Sequence, residues 1–196
     1  MSPTSPPLTS DQIREPAPGR LESLRAFINT ADVNDAIERL TDLRTLRRFL
    51  REQGLIGSRD ALAPADLERA IEVREALREL LAGRSHGVPP KNAVRSLNVR
   101  SGDALMRISF NSEGEPELIP AAAGLDAALA TLFAIIHAAA LDGTWERLKV
   151  CGADDCHWAF YDSSKNHSGT WCNMASCGNR AKARSYRERR RRSAVK

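Results

Sequence analysis

The stretch that decides the fold of this chain runs from Cys151 to Arg192 and reads CGADDCHWAFYDSSKNHSGTWCNMASCGNRAKARSYRERRRR. It holds all four cysteines of the chain, arranged as two C-x4-C pairs that are separated by fifteen residues. Cysteine thiolates bind Zn²⁺ tetrahedrally, and four of them leave no coordination position open for water or a substrate. The spacing therefore predicts one structural zinc ion, with the ligands Cys151, Cys156, Cys172 and Cys177.

Two disulfides are the alternative use of four cysteines. The first residues, MSPTSPPLTS, contain neither a charged start nor an apolar stretch, so they do not resemble a secretory signal. Disulfides are rare in the reducing cytosol, and paired cysteines within one short segment are typical of metal sites. These features favour zinc and lead us to expect a cytoplasmic location.

The residues around the cysteines predict a treble-clef-like zinc finger made of a knuckle, a hairpin and a helix. Residues 145–150 and 157–162 have the pattern of strands, residues 163–169 that of a turn, and Thr170-Trp171 that of a return strand. A helix is expected directly after Cys177. Trp158, Phe160 and Trp171 form the small core of this finger, and zinc supplies the stability that so small a core lacks.

The predicted last helix is basic on every side. Arg180, Arg184, Arg187 and Arg191 recur at helical spacing and form one stripe, and further basic residues lie around the rest of the helix. Such a helix is suited to lie along phosphates, because guanidinium groups match phosphate oxygens and guanine edges. The predicted DNA contacts are Lys165, His167, Asn179, Arg180, Lys182, Arg184, Arg187, Arg189, Arg190 and Arg191.

The charge distribution changes near residue 147, where the predicted finger begins. The formal net charge of +4 is the sum of about +8 from residue 147 onward and about −4 before it, a pattern that indicates a polyanionic partner such as nucleic acid. Residues 1–18 contain five prolines and predict a disordered arm. We therefore expect three parts: the arm (1–18), a helical domain (19–144) and the finger with its helix (145–192).

The helical domain predicts a fold class that is mainly α with a small β-hairpin. Residues 104–110 and 117–120 read as the two strands of that hairpin. Leu125–Leu141 is apolar nearly all round, and it reads as a core helix because it is too short and too alanine-rich for a membrane span. No membrane association is therefore expected.

Two polar residues of the domain are candidates for a pocket that binds a small-molecule effector. Arg74 falls on the apolar side of its predicted helix, where an unpaired charge is very costly. A core carboxylate as its partner, or a side chain that reaches the solvent, is the plainer interpretation. An anion-recognising pocket formed by Arg74 and Asn29 is the alternative hypothesis.

The run from Cys151 to Arg184 resembles the CGNR zinc finger, which is named for Cys177-Gly178-Asn179-Arg180. In that family the finger follows a helical domain called ABATE. Three features of this chain resemble that domain: the run Phe27-Ile28-Asn29-Thr30, the helix that contains Arg74 and the position of the 104–120 hairpin. The resemblance implies zinc on the four cysteines. It also implies a stress-related transcription regulator that binds DNA and has a small-molecule site in its body. The closed shell of four cysteines argues against catalysis at the metal, so we expect that the protein is not an enzyme.

Other function classes remain open at this point. A treble-clef hairpin and helix near His157, His167 and Asn179 is also similar to metal-dependent nucleases of the His-Asn-His type, which need a further cation site. An RNA-binding or protein-interaction module fits the basic finger as well. DNA-binding proteins often form homodimers on paired half-sites, but the sequence contains no recognisable dimer seam.

Overall fold

The structure, a computed structural model, describes residues 15–85, 87–88 and 90–194. The helices in these ranges are Leu21–Ile28 (α1), Leu43–Glu52 (α2), Asp66–Ser85 (α3), Lys91–Ser101 (α4), Gly124–Leu141 (α5) and Asn179–Ala194 (α6). The predicted disordered arm lies outside the described residues as far as position 14. Ala17 is buried against the body, so the packed part of the chain begins before residue 19.

Helices α1, α3 and α5 form the centre of the body. Leu24, Phe27, Leu77, Leu129 and Leu132 are almost fully buried in one continuous apolar core. Helix α5 is apolar on nearly every side because other elements pack around much of it. Helix α2 begins with a capping box: the Asp42 carboxylate accepts the Thr45 N–H at 2.7 Å, and the Thr45 hydroxyl accepts the Asp42 N–H.

Two antiparallel hairpins belong to the body. Strands Ala31–Asp32 (β1) and Ile37–Glu38 (β2) form a short one within a segment that shows no regular pattern in the sequence. Strands Met106–Phe110 (β3) and Pro116–Pro120 (β4) form the longer hairpin, with Ile108 opposite Leu118. The mainly α fold with small two-stranded sheets agrees with the predicted fold class.

The finger differs from the predicted strand arrangement in two places. Residues Trp145–Arg147 form a single 3-10 turn, and only Leu148–Val150 (β5) is a strand. Strand β5 pairs with Ala159–Tyr161 (β6) across the first cysteine pair. The predicted return strand at Thr170-Trp171 is wrong: the Thr170 carbonyl accepts the Gly152 N–H, but neither residue forms a strand. The N–H and C=O of Ala159 in β6, which a return strand could have paired with, bind the Asn29 side chain instead.

The β5–β6 sheet lies between the body and the cysteines. Leu148, Val150 and Ala159 share one face and belong to the apolar core of the body, with Tyr161 packed against it. Phe160 points to the other face and is buried with the four cysteines and Trp158. The finger is therefore packed directly on the body through this sheet.

Helix α5 is, by length and composition, the one helix among the described residues that is long and apolar enough to cross a membrane. Half of it is buried inside the body. It therefore has the surroundings of a core helix.

Candidate metal centre and basic helix

The four cysteine sulfur atoms converge on one point. All four Sγ atoms lie within 4.8 Å of one another, and all four residues are buried. The Cys156 and Cys172 sulfurs are 3.6 Å apart, and those of Cys172 and Cys177 are 3.7 Å apart. A tetrahedron with Zn–S bonds of about 2.3 Å has edges of about 3.8 Å. The cluster thus has the size and the donor atoms of a tetrahedral zinc site.

The close contacts among the cysteines also shift the pKa values of three of them. Hydrogen bonds from the Cys156 and Cys172 thiols lower the pKa of Cys151. The same contacts with Cys151, together with burial, raise the pKa of Cys156 and Cys172. Four buried thiolates cannot coexist at this distance without a positive charge among them. The chain therefore has one zinc site, which the sulfur atoms of the four cysteines would hold.

The second cysteine pair is held in place by a short helical turn. Residues Met174–Gly178 form one π-helical turn, and the Asn173 side chain accepts the N–H groups of Ala175 and Ser176 at its start. A Cβ atom on Gly178 would lie 2.4 Å from the Met174 sulfur and 3.2 Å from the Trp171 ring. Glycine at this position therefore lets α6 begin immediately behind the last zinc ligand.

Asp162 stabilises the loop of residues 163–169 from inside. Its carboxylate is fully buried and accepts the Lys149 ammonium at 2.7 Å and the N–H groups of Ser164 and Gly169. Burial raises the pKa of Asp162, but these donors outweigh burial and hold the pKa well below its usual value. Lys165 and His167, two predicted DNA contacts, are exposed on this loop.

Helix α6 leaves the finger with its basic side chains in the solvent. Every side chain described between Lys182 and Arg192 is exposed. Tyr186 is 56% exposed, and the Arg190 guanidinium lies 6.0 Å from its ring centre. The helix therefore presents a row of cations that the body does not cover.

The first two arginines of the predicted stripe differ from the others, because they contact the knuckle between the first cysteines. Arg184 binds Asp154 at 2.7 Å and lies 3.9 Å from Asp155. Arg180 donates to the Cys177 sulfur at 3.2 Å, lies 3.8 Å from Asp155 and reaches Asn34 of the body at 3.3 Å. A cation at the Cys177 sulfur offsets part of the thiolate charge.

Asn179 and His157 have structural roles that the sequence did not indicate. The Asn179 amide donates to the Ala175 carbonyl. His157 has a positive φ of 51° in the chain reversal that follows Cys156, and its carbonyl accepts Arg78 from helix α3 at 3.0 Å.

Comparison with known proteins accounts for both parts of the chain. A model described as "CGNR zinc finger" matches residues 147–190, and a model of the ABATE family, described as "Putative stress-induced transcription regulator", matches residues 24–145. The second match covers more than half of the chain. The chain belongs to the ABATE family. The order of the two matches confirms the predicted resemblance, and no curated protein matches the chain.

Asn29 joins the ABATE body to the CGNR finger. Its amide donates to the Ala159 carbonyl and its oxygen accepts the Ala159 N–H, both at 2.8 Å. Asn29 thus completes the backbone hydrogen bonds of β6 as another strand would. Asn29 also lines a cleft of about 390 Å³ between the body and Trp158.

Arg74 of the ABATE body has carboxylate partners inside the protein. It is 3% exposed and binds both oxygens of Glu38, at 2.7 and 2.6 Å, the Glu75 carboxylate at 2.7 Å and the Thr30 hydroxyl at 3.1 Å. The structure thus agrees with the interpretation in which Arg74 pairs with a core carboxylate. These partners occupy the donor groups of Arg74, so it is a structural residue behind Thr30. The structure does not support an anion pocket centred on Arg74.

Arg78 is a structural residue that the sequence analysis missed. It is 5% exposed and donates to the carbonyls of Ile28, Ala31 and His157, so it links α1, β1 and the finger. The sequence could have indicated that Arg78 faces the core, because it follows Arg74 by four residues on one helix, and side chains at i and i+4 share a face.

Proposed function

We propose that this ABATE protein is a zinc-dependent, cytoplasmic DNA-binding regulator and not an enzyme, in which α6 and the loop of residues 163–169 contact the phosphate backbone. The observation that carries this proposal is the exposed arginine helix that begins directly behind the zinc ligand Cys177. Zinc fixes the start of the helix, so the direction of the basic surface depends on the metal.

The charges on the helix favour a polyanion over a protein partner. Its exposed cations, Lys182, Arg187, Arg190 and Arg191 among them, carry few apolar neighbours, whereas protein interfaces have an apolar, charge-depleted centre. Arginine and lysine are the side chains that bind phosphates. Exposed Lys165 and His167 supply a second group of contacts, and Asn179, Arg180, Arg184 and Arg189 lie along the same helix.

Binding of a short fluorescent DNA duplex tests this function by anisotropy. We expect affinity to fall steeply with salt, with a slope of about −0.9 per neutralised phosphate, and to be lost when a chelator removes zinc. Replacing Arg187 and Arg191 by Gln should reduce the salt slope by about 2. The matched control replaces Arg44 and Arg95, two exposed arginines of the body, and should leave binding unchanged.

Competing functions give different results in the same assay. A duplex RNA of equal length that binds more tightly than DNA would identify an RNA-binding protein. Nicking of a plasmid with Mg²⁺ or Mn²⁺, lost on changing His157 or His167, would identify a nuclease. Affinity that survives both zinc removal and the Arg187/Arg191 change contradicts the proposal altogether.

We further propose that the cleft of about 390 Å³ between body and finger holds a small anionic effector. Arg39 and Arg48 line it with Asn29, and Trp158 contributes its wall on the finger side. Among the described residues, the buried Trp158 Nε1 has no hydrogen-bond partner, which makes it available to an acceptor. A ligand there would contact both the body and Trp158, which is buried in one cluster with the four cysteines.

A thermal-shift screen of small organic acids tests the effector site. A binding acid should raise the melting temperature of the protein, and replacing Arg39 and Arg48 by Ala should abolish the shift. The control replaces Arg95, an exposed residue of α4, and should keep the shift. A panel without any binding acid, or a shift that is kept after the Arg39/Arg48 change, contradicts this site.

A further inference from the structure

Arg180 contacts the zinc site from the first turn of α6. It follows Cys177 by three residues, and side chains at i and i+3 share a helix face. Its Nη2 atom donates to the Cys177 sulfur at 3.2 Å. The Arg180 side chain is 46% exposed, whereas Cys177 is 3% exposed. A partly exposed guanidinium thus contacts a buried ligand sulfur.

The donor to the Cys177 sulfur carries a charge. Cys151, in the first cysteine pair, accepts the neutral backbone N–H groups of Ala153 and Cys172. Four thiolates bring more negative charge to the site than one Zn²⁺ neutralises, and the positive charge of Arg180 offsets part of this excess. Partners that surround metal ligands in this way change metal affinity by about 10- to 100-fold when they are removed.

The body contacts Arg180 through Asn34, which lies in the turn between β1 and β2. The Asn34 side-chain oxygen accepts Arg180 Nη2 at 3.3 Å, and its amide nitrogen donates to the Asp35 carboxylate at 2.5 Å. The Asp32 carboxylate, on a residue that is 4% exposed, accepts the backbone N–H of Asn34 at 3.1 Å. Since Asp35 takes the donor end of the amide, its acceptor end faces Arg180.

We propose that Arg180 and Asn34 are positioning residues of the zinc site, through which the ABATE body strengthens zinc binding by the finger. Asn34 orients the guanidinium, and the guanidinium stabilises the Cys177 thiolate. The Asp155 carboxylate is farther from Nη2, at 3.8 Å, so the sulfur is the nearer acceptor. The proposal concerns the zinc site alone and does not depend on DNA binding.

Competition for zinc with a chromophoric chelator tests this role in the full-length protein. Arg180→Gln should raise the zinc dissociation constant by about tenfold or more. Arg180→Lys keeps the positive charge without the guanidinium fork and should recover part of the loss. The control Arg184→Gln removes the neighbouring arginine, which binds Asp154, and should leave zinc affinity unchanged. Zinc affinity that Arg180→Gln does not lower, or that Arg184→Gln lowers equally, overturns the proposal.

Cobalt in place of zinc supplies a spectroscopic signature that a purely structural role of Arg180 would not produce. The sulfur-to-Co²⁺ charge-transfer band should move to longer wavelength in Arg180→Gln, because a sulfur without a cationic donor gives up electrons more easily. Circular dichroism of the metal-loaded variant verifies that it folds. A folded Arg180→Gln protein whose band stays at the wild-type position overturns the proposal.

A double-mutant cycle tests the part that the body plays. Asn34→Ala should raise the zinc dissociation constant by about threefold in the wild-type background. It should have no further effect after Arg180→Gln, because the amide acts through the guanidinium. The control Asn92→Ala, an exposed change on α4, should leave zinc affinity unchanged in both backgrounds. An Asn34→Ala effect that is absent from the wild type, or equal in the two backgrounds, overturns the proposal.

Discussion

At the scale of single residues, Asp154 and Asp155 occupy the place that a phosphate would take on the proposed DNA surface. Their carboxylates lie beside Arg180 and Arg184 and neutralise part of the basic stripe. These ion pairs are exposed, with Asp154 86% accessible, so they are weak and easily exchanged. If the proposed surface binds DNA, phosphates would therefore compete with the knuckle for the same two guanidinium groups.

Replacing Asp154 and Asp155 by Asn should tighten DNA binding by about three- to tenfold at low salt. The reason is that two anions near the phosphates are removed and two arginines are released. Anisotropy titrations measure the change, and zinc content verifies that the knuckle is intact. The control Glu68→Gln with Asp103→Asn makes the same charge change on the body. Unchanged or weaker binding would show that DNA does not use Arg180 and Arg184.

The ion pair between Arg74 and Glu38 makes the stability of the body depend on pH. Burial raises the pKa of Glu38, but hydrogen bonds from Arg74 and from the backbone N–H groups of Leu40 and Arg39 outweigh it and lower the pKa below 4.5. The folded protein therefore binds this proton less readily than the unfolded chain. The stabilisation is complete above the unfolded pKa of about 4.3 and is lost as pH falls through the folded pKa.

Glu38→Gln should lower the free energy of unfolding by about 1–2 kcal/mol at neutral pH, because it leaves the buried Arg74 with fewer charged partners. The difference from wild type should shrink as pH falls below about 4, where wild-type Glu38 takes up a proton as well. Urea unfolding at several pH values measures this difference. Glu68→Gln, on the exposed face of α3, should have little effect at any pH. A difference that does not vary with pH would count against the ion pair.

At the scale of elements, we expect helix α6 to depend on the metal for its stability. Its 16 residues carry many like charges, and its contacts with the rest of the protein are near its first turns. Isolated helices of about 12–15 residues are marginal in water even with favourable sequences. The zinc ligand Cys177, one residue before Gly178 and Asn179, therefore provides the fixed first turn from which the helix extends.

Removing zinc with a chelator should unfold α6 while most helices of the body remain. Circular dichroism should lose a fraction of its helical signal that corresponds to this one helix, and hydrogen exchange should locate the loss in residues 179–194. Cys172→Ser should behave like the chelated protein. An α6 that stays protected without zinc would show that it folds on its own.

At the scale of the whole molecule, the body and the finger share one core. Leu148, Val150 and Ala159 of the finger belong to the body cluster, and Asn29 and Arg78 reach from the body to the finger backbone. We therefore predict one cooperative unfolding transition and not one for each family match. The predicted division into a helical domain (19–144) and a finger with its helix (145–192) remains a prediction.

Asn29→Ala should cost about 1–3 kcal/mol, because it leaves the buried N–H and C=O of Ala159 without partners. It should also broaden or split the calorimetric transition, since the finger loses a main attachment to the body. Asn166→Ala, an exposed change in the loop of the finger, should keep one transition. A destabilised but still single transition would mean that the shared apolar core alone couples the two parts.

The sequence by itself determined the zinc site, the basic helix and the helical body. Cysteine spacing and helical periodicity are local signals, and paired cysteines within one short segment are typical of metal sites. The physical reason is that each of these features depends on residues that are close together in the sequence, so the spacing of residue types is enough to predict it.

Only the tertiary structure decided which distant groups meet. The pairing of β6 with β5 instead of residues 170–171, the Asn29 bridge to Ala159 and the Glu38 partner of Arg74 join residues far apart in the chain. The carboxylates that bind Arg180 and Arg184 and the contact of Asn34 with Arg180 depend on folding as well. Hydrogen bonds and charges of these kinds act over a few ångströms in space, and separation along the chain does not predict them.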